Sequence, residues 1–244
     1  MSALWAQTRA EIYMTLRRGE TLLLTVGIPV VFLIFFSSVH VVSTPTTKAV
    51  DFFVPGILAL AVMSTAMVSL GIATGFERGY GVLKRLGTTP LGRPRLLGAK
   101  IATIVAVEIV QAIVLIPVGY GLGWSPGGRG AAAPAAAVGV VLLASVGFAG
   151  IGLVMAGLLK AEVNLATSNG LYLVLLLLGG MVVPLGKLPS ALADVAKVLP
   201  ADALAAGLHA ALGNGAPVSA LSWGVLGGWA VAAPLAAALS FRWE

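Results

Sequence analysis

Long uncharged stretches dominate the chain, separated by short polar ones. They run Thr21–Thr47, Phe52–Phe76, Ile101–Gly128 with Glu108 as its one charge, Gly130–Leu159, Val163–Gly186 and Ala203–Phe241. About 20 apolar residues at the helical rise cover the hydrocarbon core of a bilayer. Each stretch contains such a segment, and the pattern predicts spans near Leu22–Val42, Val54–Gly75, Ala99–Leu122, Ala135–Leu158, Thr167–Val183 and Leu221–Leu239. Barrel strands would alternate apolar and polar positions over about ten residues, and these stretches do not.

Two regions carry a different pattern. In residues 1–20, Leu4, Trp5, Thr8, Ile12 and Leu16 share one side of a 3.6-residue helix, with Gln7, Glu11, Arg17 and Arg18 opposite. That spacing predicts an amphipathic helix lying in the interface ahead of the first span. The polar start also predicts that the first span is retained and not cleaved as a signal peptide. Residues 184–217 are too polar to cross, with Lys187, Asp194, Lys197 and Asp202, yet remain apolar at Leu188, Leu192, Val195, Val198, Leu199, Leu204 and Leu208. Pro189 and Pro200 divide this region. It reads as two short external helices, half sunk in the interface or re-entrant. The expected class is an all-α membrane protein with one transmembrane domain over 1–244.

Composition sharpens this picture. Hydrophobic residues form 59% of the 244, charged residues 10%, and mean hydropathy is +1.02. Ordinary soluble domains hold about 25% charged residues. The net charge of +6 comes from Lys and Arg lying between apolar runs and not clustered on one polar face, which argues against nucleic acid and for topology signals and lipid headgroup contacts. Arg9, Arg17, Arg18, Arg78, Lys84, Arg85, Arg93, Arg95, Lys100, Lys160 and Arg242 fall on one side of the membrane, and only Lys48, Arg129, Lys187 and Lys197 on the other. Cytoplasmic enrichment of positive charge therefore predicts a multi-pass protein of the cell membrane with both termini inside. The absence of cysteine excludes disulfides and thiolate metal sites, and His40 and His209 stand too far apart in sequence to suggest a metal centre.

The loop between the second and third spans, residues 76–98, is short, basic and cytoplasmic by this topology. It offers Glu77, Gly81-Val82-Leu83, Lys84-Arg85-Leu86, Thr89-Pro90-Leu91 and Leu96-Leu97-Gly98-Ala99-Lys100. A helix-capable piece at Val82–Leu86 is stopped by Thr-Thr-Pro, because the residue before proline leaves the α region. This order of residues resembles the membrane subunits of type-2 ABC exporters, the permeases of drug, lipid and polysaccharide export. Val82 stands where that family usually has Thr. The external region, the segment Glu162–Pro184 and the six spans fit the same resemblance.

The resemblance implies a coupling helix that docks on a separate cytoplasmic ABC ATPase, which would bind ATP and Mg²⁺, while this chain binds no cofactor and catalyses nothing itself. It implies Val82, Leu83, Leu86, Thr89, Pro90 and Leu91 as contacts, Glu77 as a further ATPase-coupling residue, and Lys84 and Arg85 as orienting charges. It implies a second permease copy, as a homodimer, and a drug-like or lipid-like amphipathic cargo. No G-x-x-x-x-G-K-[ST] phosphate loop occurs in the sequence, in keeping with hydrolysis by a partner.

Polar residues inside the spans are the remaining candidates. Glu108 lies about nine residues into the third span, and Gln111 shares its face one turn on. A carboxylate at that depth costs a few kcal/mol on insertion scales, so it faces either a substrate route or a hydrogen-bonding partner within the bundle. Glu162 and Asn169, with Asn164, Thr167 and Ser168 between them, mark a substrate gate by the resemblance, or a capped helix start. Gly71/Gly75/Gly79, Gly119/Gly123 and Gly224/Gly228 have the spacing that brings helices close, within a subunit or between two. The rival readings are a proton-coupled carrier using Glu108 and a membrane-embedded enzyme; the sequence holds no G-x-S-G with a membrane histidine and no acid pair with a histidine to carry the latter.

Overall fold

A computed structural model describes residues 8, 9, 11, 13, 19–39, 44–87, 92–127 and 132–240. The described residues are helices and turns without strands. Along the chain they are α1 (Gly19–Ser38), α2 (Ala49–Gly79), α3 (Val82–Gly87), α4 (Arg93–Gly121), α5 (Ala132–Leu158), α6 (Ala161–Leu178), α7 (Ser190–Ala196), α8 (Pro200–Leu208) and α9 (Ala220–Ser240). Five helices are long and apolar enough to cross a membrane: α2, α4, α5, α6 and α9. α1 is apolar over the shorter Leu23–Ser38, and the bent pair α7–α8 passes the same test as a unit, so the architecture has five or six candidate spans. Of the N-terminal amphipathic helix, Thr8, Arg9, Glu11 and Tyr13 are helical, and the rest lies outside the described residues.

α2 is the buried pillar of the bundle. Phe53, Ile57, Leu60, Met63 and Met67 are all fully enclosed. Its middle, Ser64–Ser69, widens into a π-helical turn, a distortion that is frequent at functional positions. α5 packs most extensively against α9 and also lines α2. The approach of α2 and α5 is set by glycine: a Cβ on Gly152 would sit 2.5 Å from the Met67 carbonyl oxygen, and one on Gly71 would sit 3.1 Å from Gly152 Cα. Without a hydrophobic drive between helices in lipid, such backbone proximity is what gains dispersion energy. Gly224 and Gly228 meet nothing within 4 Å, so that pair packs no helix of this chain.

Outward faces are apolar. Leu23, Ile28, Val31 and Phe35 on α1, Ile109 and Ile113 on α4, Leu173, Val174 and Leu177 on α6, and Val231, Leu235 and Leu239 on α9 are all exposed. Contiguous apolar surface of this kind suits lipid or a partner helix and not water.

Helix limits differ from the sequence expectation in three of the spans, and α2 runs over Ala49–Gly79 where Val54–Gly75 was expected. α4 begins six residues early, at Arg93, after Gly92 adopts φ +67° and Pro94 takes the first turn. α6 spans Ala161–Leu178 where Thr167–Val183 was expected. It starts early because polar Asn164 and Ser168 are fully buried against the bundle instead of lying in the interface. It ends early at Gly179-Gly180, with Gly180 at φ +64°.

The segment before the last span holds two short helices, α7 and α8, that meet at a bend of 85°. α7 is a surface helix, with Leu192 and Val195 exposed. α8 turns 85° from it and enters the bundle, where Pro200–Ala205, Gly207 and Leu208 are buried among α2, α5, α6 and α9. The Trp229 indole N–H donates to the Val198 carbonyl at 3.1 Å and fastens this corner to α9.

Candidate functional site: the loop helix and the polar contacts beneath it

The chain turns sharply at the end of α2. Gly81 N–H donates to the Arg78 carbonyl at 2.9 Å, and Gly81 itself adopts φ +70°, a left-handed value that favours glycine. α3 follows as a short helix of six residues, Val82–Gly87. Leu83 is fully buried and belongs to the bundle core, while Val82, Lys84 and Arg85 are exposed. Leu83 is thus an anchor and not an outward contact as expected: one side of so short a helix must face the bundle, and the apolar residue takes it. Leu86 lies on α3. Thr89, Pro90 and Leu91 lie outside the described residues.

The root of the loop is held by charge. Lys100, in the second turn of α4, is 2% exposed, and its ammonium donates to Glu77 Oε2 at 2.7 Å. Glu11 Oε1 stands 3.7 Å from the same nitrogen, so one buried cation joins the N-terminal helix, α2 and α4. A buried ammonium is tolerable only with such partners. Next to Glu77, the Arg78 guanidinium donates to the carbonyls of Gly157 and Leu159, the latter at 2.5 Å. These are the orphan carbonyls at the end of α5, where a cation also suits the helix dipole. Phe76 and Tyr80 stack at 6.0 Å between ring centroids beside the turn. Lys100 and Arg78, expected as topology charges, are held here by partners that arrive from other helices.

Inside the bundle, polar side chains pair across helices. Glu108 on α4 is 5% exposed, and its Oε2 accepts from Ser145 Oγ of α5 at 2.5 Å. Gln111 donates to the Thr25 carbonyl of α1 and to Thr65 Oγ1 of α2, both at 3.0 Å. Asn164 of α6 donates to the Gly71 carbonyl of α2 at 2.7 Å and accepts from Ser168 at 3.2 Å. Glu108 and Gln111 are therefore closed off within the chain. Glu162 and Asn169 are exposed on α6, where Asn169 donates back to the Leu165 carbonyl at 2.9 Å. The four candidate pathway residues do not converge: two knit α1, α2, α4 and α5 together, and two sit on the open face of α6.

The helix topology, with five or six candidate spans among the described residues, is that of a multi-pass membrane protein. The chain belongs to the ABC-2 type transporter family, whose model matches residues 2–212. It is 24% identical over 226 residues to a protein of Bacillus subtilis (strain 168) named "Putative transport permease YvfS", a match covering 89% of this chain and 88% of that protein. The protein is thus a multi-pass transmembrane permease of an ABC transporter, and family membership implies a partner ATPase.

Proposed function

We propose that this permease is the membrane half of an ATP-driven exporter, acting as a homodimer with a cytoplasmic ATPase seated on α3. The observation that carries the reading is the anchored knob: Leu83 plugged into the core, Val82, Lys84 and Arg85 turned outward, and the Glu77–Lys100 bond beneath them. A knob joined rigidly to two spans transmits a push from a partner groove into α2 and α4. Thr89, Pro90 and Leu91 extend the same contact by the family resemblance. ATP and Mg²⁺ bind to the ATPase, not to this chain. The eleven-to-four division of Lys and Arg supports placing α3 and both termini in the cytoplasm of the cell membrane.

The cargo route in this reading runs along the exposed face of α6, past Glu162 and Asn169 and then Leu173, Val174 and Leu177. A face polar at one end and apolar along the rest suits a lipid-like or drug-like amphipath. Glu108 and Gln111 stand behind it and hold the bundle in register. A proton-driven carrier is less well supported, since Glu108 is enclosed against Ser145. The test is co-expression with candidate ABC ATPases, purification, and transport in proteoliposomes. Co-purification with ATP-dependent cargo movement is expected; transport by the permease alone, driven by a pH gradient, would contradict the proposal.

A further inference from the structure

At the end of the bundle opposite α3, a cavity of about 290 Å³ opens between the start of α2, the end of α6 and the inner face of α8. Its volume lies near the lower end of the roughly 300–1,000 Å³ typical of small-molecule sites. Among the described residues two carboxylates line it, Asp51 and Asp202, and no Lys or Arg does. Asp51 accepts the Ser125 backbone N–H through Oδ1 at 3.1 Å. Asp202 is 7% exposed, and its Oδ1 has no hydrogen-bond partner among the described residues. That oxygen lies toward Gly180, another lining residue, where a Cβ would stand 3.7 Å from it. Lys197, the cation whose field reaches Asp202, directs its ammonium to Asp194 at 2.8 Å.

The rest of the wall selects among cations. Phe52 and His209 present a pair of rings with centroids 4.6 Å apart. The His209 nitrogens lie 2.7 and 3.1 Å from the Ala205 and Phe52 carbonyls, and the single N–H of a neutral imidazole donates to one of them. Among the described residues no three acidic, histidine or cysteine side chains are grouped to hold a metal ion. A buried, unpaired carboxylate demands a counter-charge. An anion would meet two like charges, and a neutral donor could hydrogen-bond Asp202 without neutralising it. Carboxylates and an aromatic ring lining one cavity are the groups that recognise an organic ammonium, and Pro45, Pro184, Leu185 and Ala206 give its alkyl groups an apolar wall.

We propose that this cavity binds an organic ammonium group, with Asp202 and Asp51 as its counter-charges and the Phe52 ring as its face, whether the group belongs to a free amine or to a lipid headgroup. Its location on the outer surface rests on the orientation proposed above; its binding chemistry does not.

The test uses the full chain in phosphatidylglycerol nanodiscs, which carry no competing amine, with binding followed calorimetrically. Choline is expected to bind saturably, and its neutral isostere 3,3-dimethylbutan-1-ol is not. Asp202→Asn is expected to weaken choline by at least about tenfold, the scale for removing one partner of a buried charge pair. Ala206→Leu, which fills the cavity and leaves both carboxylates in place, is expected to abolish binding and keeps the test valid should Asp202→Asn fail to fold. Dihexanoyl phosphatidylcholine, used as a monomer, separates the sources: tighter binding than choline assigns a lipid headgroup, equal or weaker binding a free amine. No saturable choline binding, equal binding of the isostere, or unchanged affinity in a folded Asp202→Asn protein would overturn the proposal. None of these readouts involves an ATPase, so failure here leaves the exporter reading untouched.

Discussion

Lys100 Nζ lies 2.7 Å from Glu77 Oε2, and this bond closes the loop containing α3 at its root. The two residues stand on different spans, yet both are within two turns of the point where the chain leaves the bundle. Lys100 is 2% exposed and Glu77 35%, so solvent screens this pair in part, less than it does a surface ion pair. It therefore ties α2 and α4 into one unit where a docked partner would push.

Lys100→Met should break that unit. Glu77 keeps partial solvent access, which relieves some of the lost pairing, so the expected cost is about 2 kcal/mol, below the 3–5 of a wholly buried broken pair. The melting temperature in detergent should fall by several degrees. ATP turnover in the assembled complex should uncouple from cargo, and Lys100→Arg should recover most of both. A Lys100→Met protein as stable and as well coupled as the parent would remove the clamp from the account.

Backbone proximity between α2 and α5 makes a second prediction. Gly152→Val places a side chain against the Met67 carbonyl, 2.5 Å from the first added carbon, and the helices must separate. Loss of monodisperse protein on size exclusion is expected. Gly224→Val is the matched control, since nothing of this chain stands within 4 Å of it, and it should behave as the parent unless that face meets another subunit.

Glu108 offers a third. Its Oε2 accepts from Ser145, and a glutamine carbonyl can accept the same bond. Glu108→Gln should retain folding and transport. Glu108→Leu removes this bond while Ser145 keeps the Val141 carbonyl at 2.8 Å as acceptor, so the expected cost is about 0.5–1.5 kcal/mol, read as a lower melting temperature. Transport lost in Glu108→Gln with unchanged stability would return this carboxylate to the mechanism.

The exposed pair Lys197–Asp194 makes the opposite case. Both side chains are more than half exposed, and the bond of 2.8 Å joins residues three apart on one surface turn. Pairs of this kind contribute about 0–1 kcal/mol. Lys197→Ala should shift the melting temperature by no more than about 2 °C.

Much of the fold was legible because lipid imposes a one-dimensional rule: runs without charge cross, and charged breaks do not. The loop helix was legible for a similar reason, since Thr89-Pro90 ends any helix begun at Val82. Hydropathy could not reveal what happens when polar residues are buried by specific partners. Asn164 and Ser168 read as interface because nothing in their own segment announces the Gly71 carbonyl that Asn164 meets 93 residues away. Lys100 read as a loop charge because its burial depends on Glu77 and Glu11 arriving from other helices. Leu83 pointed the wrong way for the same reason, since in a helix as short as α3 the packing chooses the inward face. Asp202 sits in the cavity because α8 bends 85° from α7, a turn marked by Pro200 but not given an angle by it.

The central claim is that α3 is a cytoplasmic knob on which another subunit sits. The chain contains no cysteine, so Arg85→Cys carries a single reactive thiol on that knob. A membrane-impermeant maleimide should label it in inverted vesicles and not in intact cells, and bound ATPase should protect it. Labelling of Arg85→Cys from the outside of intact cells would contradict the account.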